Sequence, residues 1–475
     1  MKRLPLASSC FFAVLIGVFA LLVPATGLAQ GSRPNQLLTE ADDERAGQEA
    51  AREVAAQIGI LEDPELNAYL QQLGVKLLRG LPRRPFRYRF YVVDQAEPNA
   101  FALPGGFIFV SRGLLALATN EDELANVIGH EITHSAMRHS ARQQSIAANL
   151  SPLLMGIRRE AKLRGYSRDM EREADEGGQQ LAAAAGYDPR GMATFMDKLS
   201  DWERLGTGVY RRASFFDTHP TSTQRASVNR IRASEMRWTP AHDPSVTKQG
   251  YIKRLEGLPV GERPEAGIFS GARFLHPDLD FQVRFPNGWR LQNSGMAVGA
   301  SAPRGGAVVF LTADSPQGPP RTAAQAFLNQ NRELRVQESN PTRIFGQDAW
   351  EVKAIVSGGG GRNDVFLTFL PHRGSTWRFT GITASALVAR FEPKITRTIK
   401  SFRPLNPDQL ATIHGTKLRI VKAEPGEDIN AFSKRTGNGW GRPETAIANG
   451  LKRETVFEGG ELVKIIRSEP YARAQ

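Results

Sequence analysis

Cysteine is almost missing from this chain of 475 residues, which contains Cys10 and no other cysteine. Beyond the N-terminal segment, no apolar run reaches the roughly 20 residues that a membrane-spanning helix needs. Tandem repeats and the cysteine spacings of zinc fingers are also missing from the sequence. These absences exclude a disulfide-rich scaffold, a cysteine-ligated metal site and a protein with several membrane helices.

The N-terminus has the order of a secretory signal peptide. Two basic residues precede an apolar run at residues 11–23, and small residues follow up to Ala29. Because the run is shorter than a membrane span of ~20 residues, we predict a cleaved signal peptide at residues 1–29 and a periplasmic protein. An uncleaved anchor is the alternative. A lipid anchor on Cys10 is disfavoured because this residue precedes the apolar core.

Positive charge is in excess, with 61 Lys and Arg against 49 Asp and Glu, a net charge of +12 and a pI near 9.9. Such a protein is attracted to anionic surfaces, which include peptidoglycan, lipopolysaccharide headgroups and nucleic acid. The chain has no aromatic-basic motif, and an export signal argues against nucleic acid. We therefore expect no nucleic-acid partner and a peripheral association with the envelope, including the outer membrane.

The strongest chemical signal is HEITH at residues 130–134. His130 and His134 lie four apart and share one helix face, with Cβ atoms roughly 6 Å apart, so both imidazoles reach one small cation. Zinc prefers nitrogen ligands, and a catalytic zinc site keeps one position for water. Glu131 is placed to accept the proton of that water, which predicts a metalloprotease. A surface helix with two histidines is the alternative.

The flanking residues predict that the motif lies in an amphipathic helix. Asn120 is a candidate N-cap, and the acidic residues 121–123 put negative charge at the positive end of the helix dipole. Apolar residues then recur at helical spacing: Leu124, Val127, Ile128, Ile132 and Ala136.

A third ligand is expected from the charged stretch at residues 166–175. Glu171 and Asp175 are four apart and share a helix face. Glu171 would complete a His-His-Glu site. Asp175 would accept a hydrogen bond from the second ring nitrogen of a ligand histidine and fix its tautomer. The alternative is an ordinary solvated face of a charged helix.

Four ordered motifs resemble the HtpX-like and BepA-like gluzincin zinc metallopeptidases, relatives of the CAAX prenyl protease. They are NAFALPGGFIFV at 99–110, HEITHSAMRH at 130–139, the segment 167–175, and FDTHP at 216–220 with Arg225. The resemblance covers residues 40–235 and implies a zincin fold with one Zn²⁺ per chain. The implied roles are zinc ligands for His130, His134 and Glu171, general base for Glu131, and support of a ligand for Asp175.

The resemblance also implies roles for residues around the metal. In BepA-like members the histidine of the Thr-His-Pro loop fills the open metal position, and His219 holds that place here. His219 would block the resting enzyme, or would stabilise the oxyanion once displaced. A loop histidine bonded to backbone is the alternative. We expect substrate contacts from Asn99, Gly106 and Arg225, and the strand at residues 106–110 either pairs a substrate backbone or is an ordinary core strand.

The fold class predicted from these patterns is α+β. A mostly helical peptidase domain with a small sheet is expected at residues 38–236, with helices at 40–58 and 64–78 and a strand at 87–93. Prolines and glycines mark a linker at residues 237–268 that holds one short helix.

Two further modules are predicted in the second half. Residues 269–405 alternate like β-strands, end in a helix at 385–401 and weakly resemble PsbP, which suggests docking or substrate presentation. Residues 414–467 resemble the LysM glycan-binding module, although a glycine-rich loop at 437–442 departs from its pattern. Peptidoglycan contact and a plain structural cap both stay open for this segment.

Together these features predict a periplasmic zinc metalloendopeptidase that cleaves misfolded or stalled envelope proteins. The membrane-embedded HtpX-like proteins are the poorer match, and the helical-repeat docking tail of some BepA-like relatives is not expected here. One alternative is an envelope chaperone or assembly factor whose metal site is mainly regulatory. The other is a peptidoglycan-binding scaffold.

Overall fold

The structure is a computed structural model. It describes residues 39–472, except 149–156, 206–214, 216–218, 220–222, 242–243, 295–296, 304, 315–317 and 359–360. The predicted signal peptide and most of the FDTHP motif lie outside the described residues. The chain divides into two compact units. The motif unit comprises Ser32–Arg263 and His414–Glu469, and the sheet unit comprises Pro264–Ile413 with the last residues of the chain.

The motif unit begins with helices and a small sheet. Its elements before residue 264 are α1 (Glu40–Gln57), α2 (Pro64–Leu77), β1 (Arg89–Val93), β2 (Ala100–Leu103), β3 (Phe107–Ser111), α3 (Arg112–Leu117), α4 (Glu121–Ala136), α5 (His139–Ala148), α6 (Ile157–Ala184), α7 (Gly191–Leu205), α8 (Thr223–Glu235) and α9 (Pro244–Arg254). The helices predicted at 40–58 and 64–78 are confirmed within one residue. They begin where Thr39 and Asp63 cap the first turns.

The three strands of the motif unit form one sheet in the order β1–β3–β2. β3 runs parallel to β1 and antiparallel to β2, and all of its residues are buried. Because both edges of β3 are paired, it has no room for a substrate strand, so of the two alternatives for residues 106–110 the structure favours the ordinary core strand. β1 and β2 are the edge strands of this sheet, and among the described strands each pairs only with β3. The outer side of β1 is already used by Leu61 N, which donates to Val92 O at 2.8 Å.

Helix α4 carries the HEITH motif through the middle of the unit. It begins at Asn120, as predicted, and the Asn120 side chain accepts a hydrogen bond from Glu123 N at 2.9 Å. The predicted amphipathic character is wrong in one respect, because polar residues such as Glu123 and Asn126 are also buried. The helix is therefore covered by other elements on almost every side rather than exposed along one face.

Glycines bring α4 and α6 into close contact. A Cβ atom on Gly178 would lie 2.6 Å from His130 N, and one on Gly129 would lie 2.8 Å from Gly178 O. Any side chain at these positions would push the helices apart. The close approach brings Glu171 of α6 against the histidines of α4.

The C-terminal residues 414–469 form β14 (His414–Lys422), α13 (Ile429–Thr436), α14 (Arg442–Asn449) and β15 (Leu462–Pro470). They pack within the motif unit. Leu418 N donates to Leu258 O at 2.8 Å, and the Trp440 ring meets Trp202 of α7 edge-on at 6.0 Å. Leu418 of the LysM-like segment belongs to the same hydrophobic core as the HEITH helix, whereas Ile429, Phe432, Phe457 and Ile465 belong to a core of the segment's own.

The sheet unit contains the remaining elements. They are β4 (Ile268–Ser270), β5 (Arg273–His276), β6 (Phe281–Arg284), β7 (Arg290–Ser294), β8 (Ala297–Ser301), β9 (Ala307–Asp314), α10 (Pro320–Gln330), β10 (Arg335–Ile344), β11 (Gln347–Gly358), β12 (Gly361–His372), β13 (Ser375–Ala384), α11 (Val388–Ile399) and α12 (Pro407–Ala411). β7–β13 form a sheet in the order β10–β11–β12–β13–β9–β8–β7, and β4–β6 form a second one. The predicted strand pattern and the helix near 385–401 are confirmed.

None of the described helices is both long enough and apolar enough to cross a membrane.

Candidate metal centre

Four side chains from three parts of the motif unit converge on one point. His130 and His134 come from α4, Glu171 from α6, and His219 from the segment that precedes α8. One ligand atom from each lies within 4.8 Å of the other three. His130 Nε2 is 2.9 Å from His134 Nε2 and 3.2 Å from His219 Nδ1. Glu171 Oε1 is 3.0 Å from His219 Nδ1 and 3.3 Å from His134 Nε2.

This spacing fits a metal ion better than a set of hydrogen bonds. Ligand atoms at about 2.1 Å around a tetrahedral zinc ion lie roughly 3.4 Å from one another, near the distances of 2.9–3.3 Å between the ligand atoms here. A neutral imidazole has one proton, so His130 Nε2 cannot satisfy two facing ring nitrogens at once. Three imidazoles and one carboxylate are a donor set that zinc accepts.

The carboxylate of Glu131 is buried beside this cluster, and neither oxygen accepts a hydrogen bond from the residues that the structure describes. His219 Nε2 lies 3.3 Å from Glu131 Oε1. A buried carboxylate without hydrogen bonds is costly, and such groups mark functional sites or unfilled polar positions. Glu131 is thus available to a polar group that enters the site.

Charge on the acidic ligand is stabilised by its surroundings. Burial alone would raise the pKa of Glu171, but the adjacent His219, His134 and His130 lower it more, so its pKa lies far below the usual range. Burial would lower the pKa of His219, and the nearby Glu131 and Glu171 carboxylates reverse this and raise it. The site is therefore built around ionised carboxylates, as a cation requires.

His130 is supported from behind by Asp175. His130 Nδ1 lies 3.0 Å from Asp175 Oδ1, although the N–H direction is not well aligned. Arg225 donates to both oxygens of Asp175, at 2.9 and 2.7 Å, and Asn229 adds a bond at 3.0 Å. Burial would raise the pKa of Asp175, but His130 and Arg225 hold it at about 2.

His134, the second histidine of the motif, contacts His139 on the side of its ring away from the cluster. His139 Nδ1 lies 2.8 Å from His134 Nδ1, and His139 Nε2 lies 3.1 Å from Glu173 Oε2. Burial and the adjacent His134 lower the pKa of His139 to about 4. His139 is therefore a neutral imidazole with two distinct nitrogens.

Comparison with known proteins agrees with this geometry. The family model for peptidase family M48 matches residues 61–159 and 153–233. Residues 61–233 are an M48 metallopeptidase domain. The match covers α4, α6 and the segment of His219, and therefore all four converging residues.

Curated relatives match part of the chain. The β-barrel assembly-enhancing protease of Yersinia pestis is 30% identical over 256 residues, which are 49% of this chain and 50% of the relative. The protein of the same name from Escherichia coli K12 is 28% identical over 45% of this chain and 48% of its own length. The mitochondrial metalloendopeptidase OMA1 of Schizosaccharomyces pombe is 29% identical over 203 residues, 58% of its length. The chain spans about half the length of the first two relatives.

Among solved structures, the cyanobacterial PsbP of Synechocystis is 15% identical, with a TM-score of 0.25. The similarity covers 30% of this chain and 98% of that structure. A similarity at this level carries no argument about the sheet unit.

A cavity of about 170 Å³ opens beside Glu131 in the M48 domain. Its walls include Glu131, His134 and His219 on one side, and Phe101 and Leu103 of β2 on the other. A larger groove of about 560 Å³ lies between α1 and the sheet, but it contains none of the predicted site residues. The smaller cavity is therefore the one that belongs to the metal centre.

The three expected substrate-binding residues have other surroundings in the M48 domain. Asn99 N donates to Ser111 Oγ at 2.8 Å, and Asn99 is buried where it supports the β2–β3 hairpin. Gly106 lies in the turn of that hairpin with φ of +85°. Arg225 is buried between Asp175 and Glu171, with Nη1 3.0 Å from Glu171 Oε2. None of these residues is among those that line the described cavity.

Sequence reasoning assigned no role to Phe215, whose ring stacks on His219 at 4.5 Å. His219 N donates to Phe215 O at 2.8 Å. The only sign of this contact in the sequence is the four-residue spacing of Phe215 and His219. Such spacings are common, so this one does not by itself predict a contact.

Proposed function

We propose that this protein is a zinc-dependent endopeptidase that hydrolyses peptide bonds of misfolded or stalled envelope proteins. The observation that carries the proposal is the convergence of His130, His134, Glu171 and His219. Beside them lies the buried carboxylate of Glu131, which accepts no hydrogen bond from the described residues. The ligand set suits zinc among metals, because nitrogen and carboxylate donors are arranged at tetrahedral spacing.

A bound zinc ion would supply an activated water and polarise the carbonyl that the water attacks. Glu131 accepts the proton of that water and then donates it to the leaving amine. Asp175 orients the ligand His130, and hydrogen bonds from Arg225 and Asn229 hold Asp175 in place. His219 lies between Glu131 and the ligand group, and its departure would free a coordination position for the substrate.

The substrate would bind as an extended strand along the outer edge of β2. Phe101 and Leu103 of β2 line the cavity beside Glu131. Strand addition uses backbone hydrogen bonds and therefore accepts many sequences, as a protease of unfolded chains requires. This assignment replaces β3, which is paired on both sides.

The cellular role is proposed from the relatives and from the N-terminal pattern. Two relatives are named for enhancing β-barrel assembly, which is a task of the bacterial envelope. Residues 1–29 would direct export to the periplasm, and misassembled envelope proteins would be the substrates. The LysM-like segment 414–467 would contact peptidoglycan, and the PsbP-like residues 269–405 would present substrates.

The first test is the substitution Glu131→Gln in the full chain. Loss of the general base should reduce cleavage of an unfolded β-barrel protein about 10²- to 10⁴-fold while zinc stays bound. Glu176→Gln is the matched control, because Glu176 is an exposed glutamate on the same helix as Glu171. Cleavage is followed by gel electrophoresis and mass spectrometry, and zinc by elemental analysis. Equal cleavage by Glu131→Gln and wild type would refute the peptidase.

A second candidate function, that of an envelope chaperone, is favoured by His219 as a fourth protein ligand. Structural zinc sites are closed by four protein ligands, and His219 closes this one. The protein would then act as an envelope chaperone with a structural or regulatory metal. That candidate predicts that wild type cleaves nothing and that Glu131→Gln suppresses aggregation of unfolded substrates as well as wild type does.

A further inference from the structure

A chain of polar contacts leads from His134 to the protein surface. The rings of His134 and His139 meet at 84°, with their Nδ1 atoms 2.8 Å apart. On the far side of His139, Nε2 lies 3.1 Å from Glu173 Oε2. Arg142 Nη1 donates to the same oxygen at 2.6 Å. His139 itself is almost completely buried, whereas Glu173 and Arg142 are partly exposed.

The contacts determine which nitrogen carries each proton. His134 turns Nε2 toward the other ligand atoms, so a metal ion there leaves its proton on Nδ1. That N–H donates to His139 Nδ1, which must then be an acceptor. The proton of His139 is consequently on Nε2, where it is donated to the Glu173 carboxylate. The four nitrogens are thus a metal ligand (His134 Nε2), two donors (His134 Nδ1 and His139 Nε2) and one acceptor (His139 Nδ1).

An unusual backbone conformation holds His139 in this position. Arg138, between α4 and α5, has φ of +52°, a left-handed backbone conformation that residues other than glycine rarely adopt. Its guanidinium donates to both oxygens of the buried Asp43, at 2.7 and 3.0 Å. The turn reverses the chain directly after α4 and brings His139 back against His134. Strained positions of this kind persist when surrounding contacts maintain them.

We propose that His139 is a positioning residue that orients His134 for metal binding, with Glu173 as its own acceptor. The arrangement parallels the support of His130 by Asp175 and Arg225. Ligand histidines usually donate their second nitrogen to such a partner, and its loss weakens metal binding about 10- to 100-fold. The inference rests on the proposed metal centre but not on peptidase activity.

The test compares His139→Leu with His139→Asn in the full chain. Leucine fills the space without an acceptor, so the zinc dissociation constant should rise about 10- to 100-fold in competition with a chromogenic chelator. Asparagine can place its side-chain oxygen where Nδ1 was, and it should recover most of that loss. The cobalt-substituted protein should show altered visible bands in His139→Leu and near-normal bands in His139→Asn. His372→Leu is the control, because His372 is a buried histidine of the sheet unit, and zinc affinity should not change.

Two results would overturn the positioning role. One is wild-type zinc affinity and an unchanged cobalt spectrum in His139→Leu. The other is an equal loss in the asparagine and leucine variants, because a purely structural residue would not distinguish them. If His139→Leu does not fold, Glu173→Gln decides, since weaker zinc binding is expected there and unchanged binding would contradict the proposal. A wild-type protein that binds zinc but cleaves nothing would refute the peptidase and leave these affinities interpretable.

Discussion

At the residue scale, the three histidines of the metal centre are each supported by a side chain outside the cluster. Asp175 lies behind His130, His139 lies behind His134, and the Phe215 ring stacks on His219. Ligands fixed in this way need little rearrangement when the metal binds. Single substitutions should therefore separate the ligands that hold the ion from the residue that covers it.

Glu171→Ala and His219→Ala are expected to have opposite effects. Glu171 is the only acidic ligand of the described cluster, so its loss should lower zinc affinity at least about 100-fold. His219→Ala should leave zinc bound and raise peptidase activity several-fold, because it opens the position that substrate needs. Zinc content and peptide cleavage are measured on the same preparations.

Other outcomes for these two variants would assign different roles to Glu171 and His219. Full zinc occupancy in Glu171→Ala would show that another group is the third ligand. Lost zinc in His219→Ala would show that His219 holds the metal rather than covers it. A fall in activity with zinc retained would favour oxyanion stabilisation by His219.

At the scale of elements, α4 and α6 determine the site together. The contact between Gly129 and Gly178 sets their separation, and the cap at Asn120 sets where α4 begins. A one-residue shift of either helix would rotate its ligands by roughly 100° away from the common point. The start of α4 is therefore as important to the metal centre as the ligands themselves.

Asn120→Ala should destabilise the motif unit by about 1 kcal/mol, because Glu123 N loses its capping acceptor. Urea unfolding with probes in each unit measures the effect. The matched control is Asn406→Ala, which removes the cap of α12 in the sheet unit. Each substitution should lower the stability of its own unit. Unchanged stability of the motif unit in Asn120→Ala would contradict the capping role of this side chain.

At the scale of the whole molecule, the C-terminal segment is part of the unit that carries the metal centre. Lys464 of β15 is completely buried, and its Nζ donates to Ala116 O and Ala118 O, both at 2.6 Å. Both carbonyls precede the cap of α4. Burial holds the pKa of Lys464 well below its usual range. The LysM-like segment, for which peptidoglycan contact and a structural cap both stayed open, thus donates hydrogen bonds just before the start of the HEITH helix.

Lys464→Ala should destabilise the motif unit by about 1–3 kcal/mol, because two buried carbonyl groups lose their donor. Chemical denaturation of the full chain measures this, with Lys452→Ala as control. Lys452 is an exposed lysine of the same segment, so its removal should change stability by less than about 0.5 kcal/mol. Unchanged stability in Lys464→Ala would mean that the segment is attached to the unit without supporting it.

Local chemistry made much of this molecule predictable. Asn120 marked the start of α4, and leucines at helical spacing indicated α2. The four-residue spacings of His130 with His134 and of Glu171 with Asp175 placed each pair on one helix face, as the structure has them. These predictions worked because the interactions involved span one or two helical turns.

Contacts between distant segments were not predictable in the same way. The position of β3 at the centre of its sheet depends on pairing with β1 and β2, and alternation alone does not tell a central strand from an edge strand. Arg225 was expected at the substrate and lies instead against Asp175 and Glu171, because the course of the chain after His219 places it there.

The sequence by itself determined the chemistry of this protein: a histidine pair, a glutamate base and two further carboxylates at helical spacing. Tertiary structure alone decided which groups support them. The contact of His139 with His134 requires the left-handed turn at Arg138, and that of Lys464 with Ala118 joins residues 346 positions apart. Periodicity reports only neighbours along one helix or strand, whereas these partners are brought together by the packing of the whole unit.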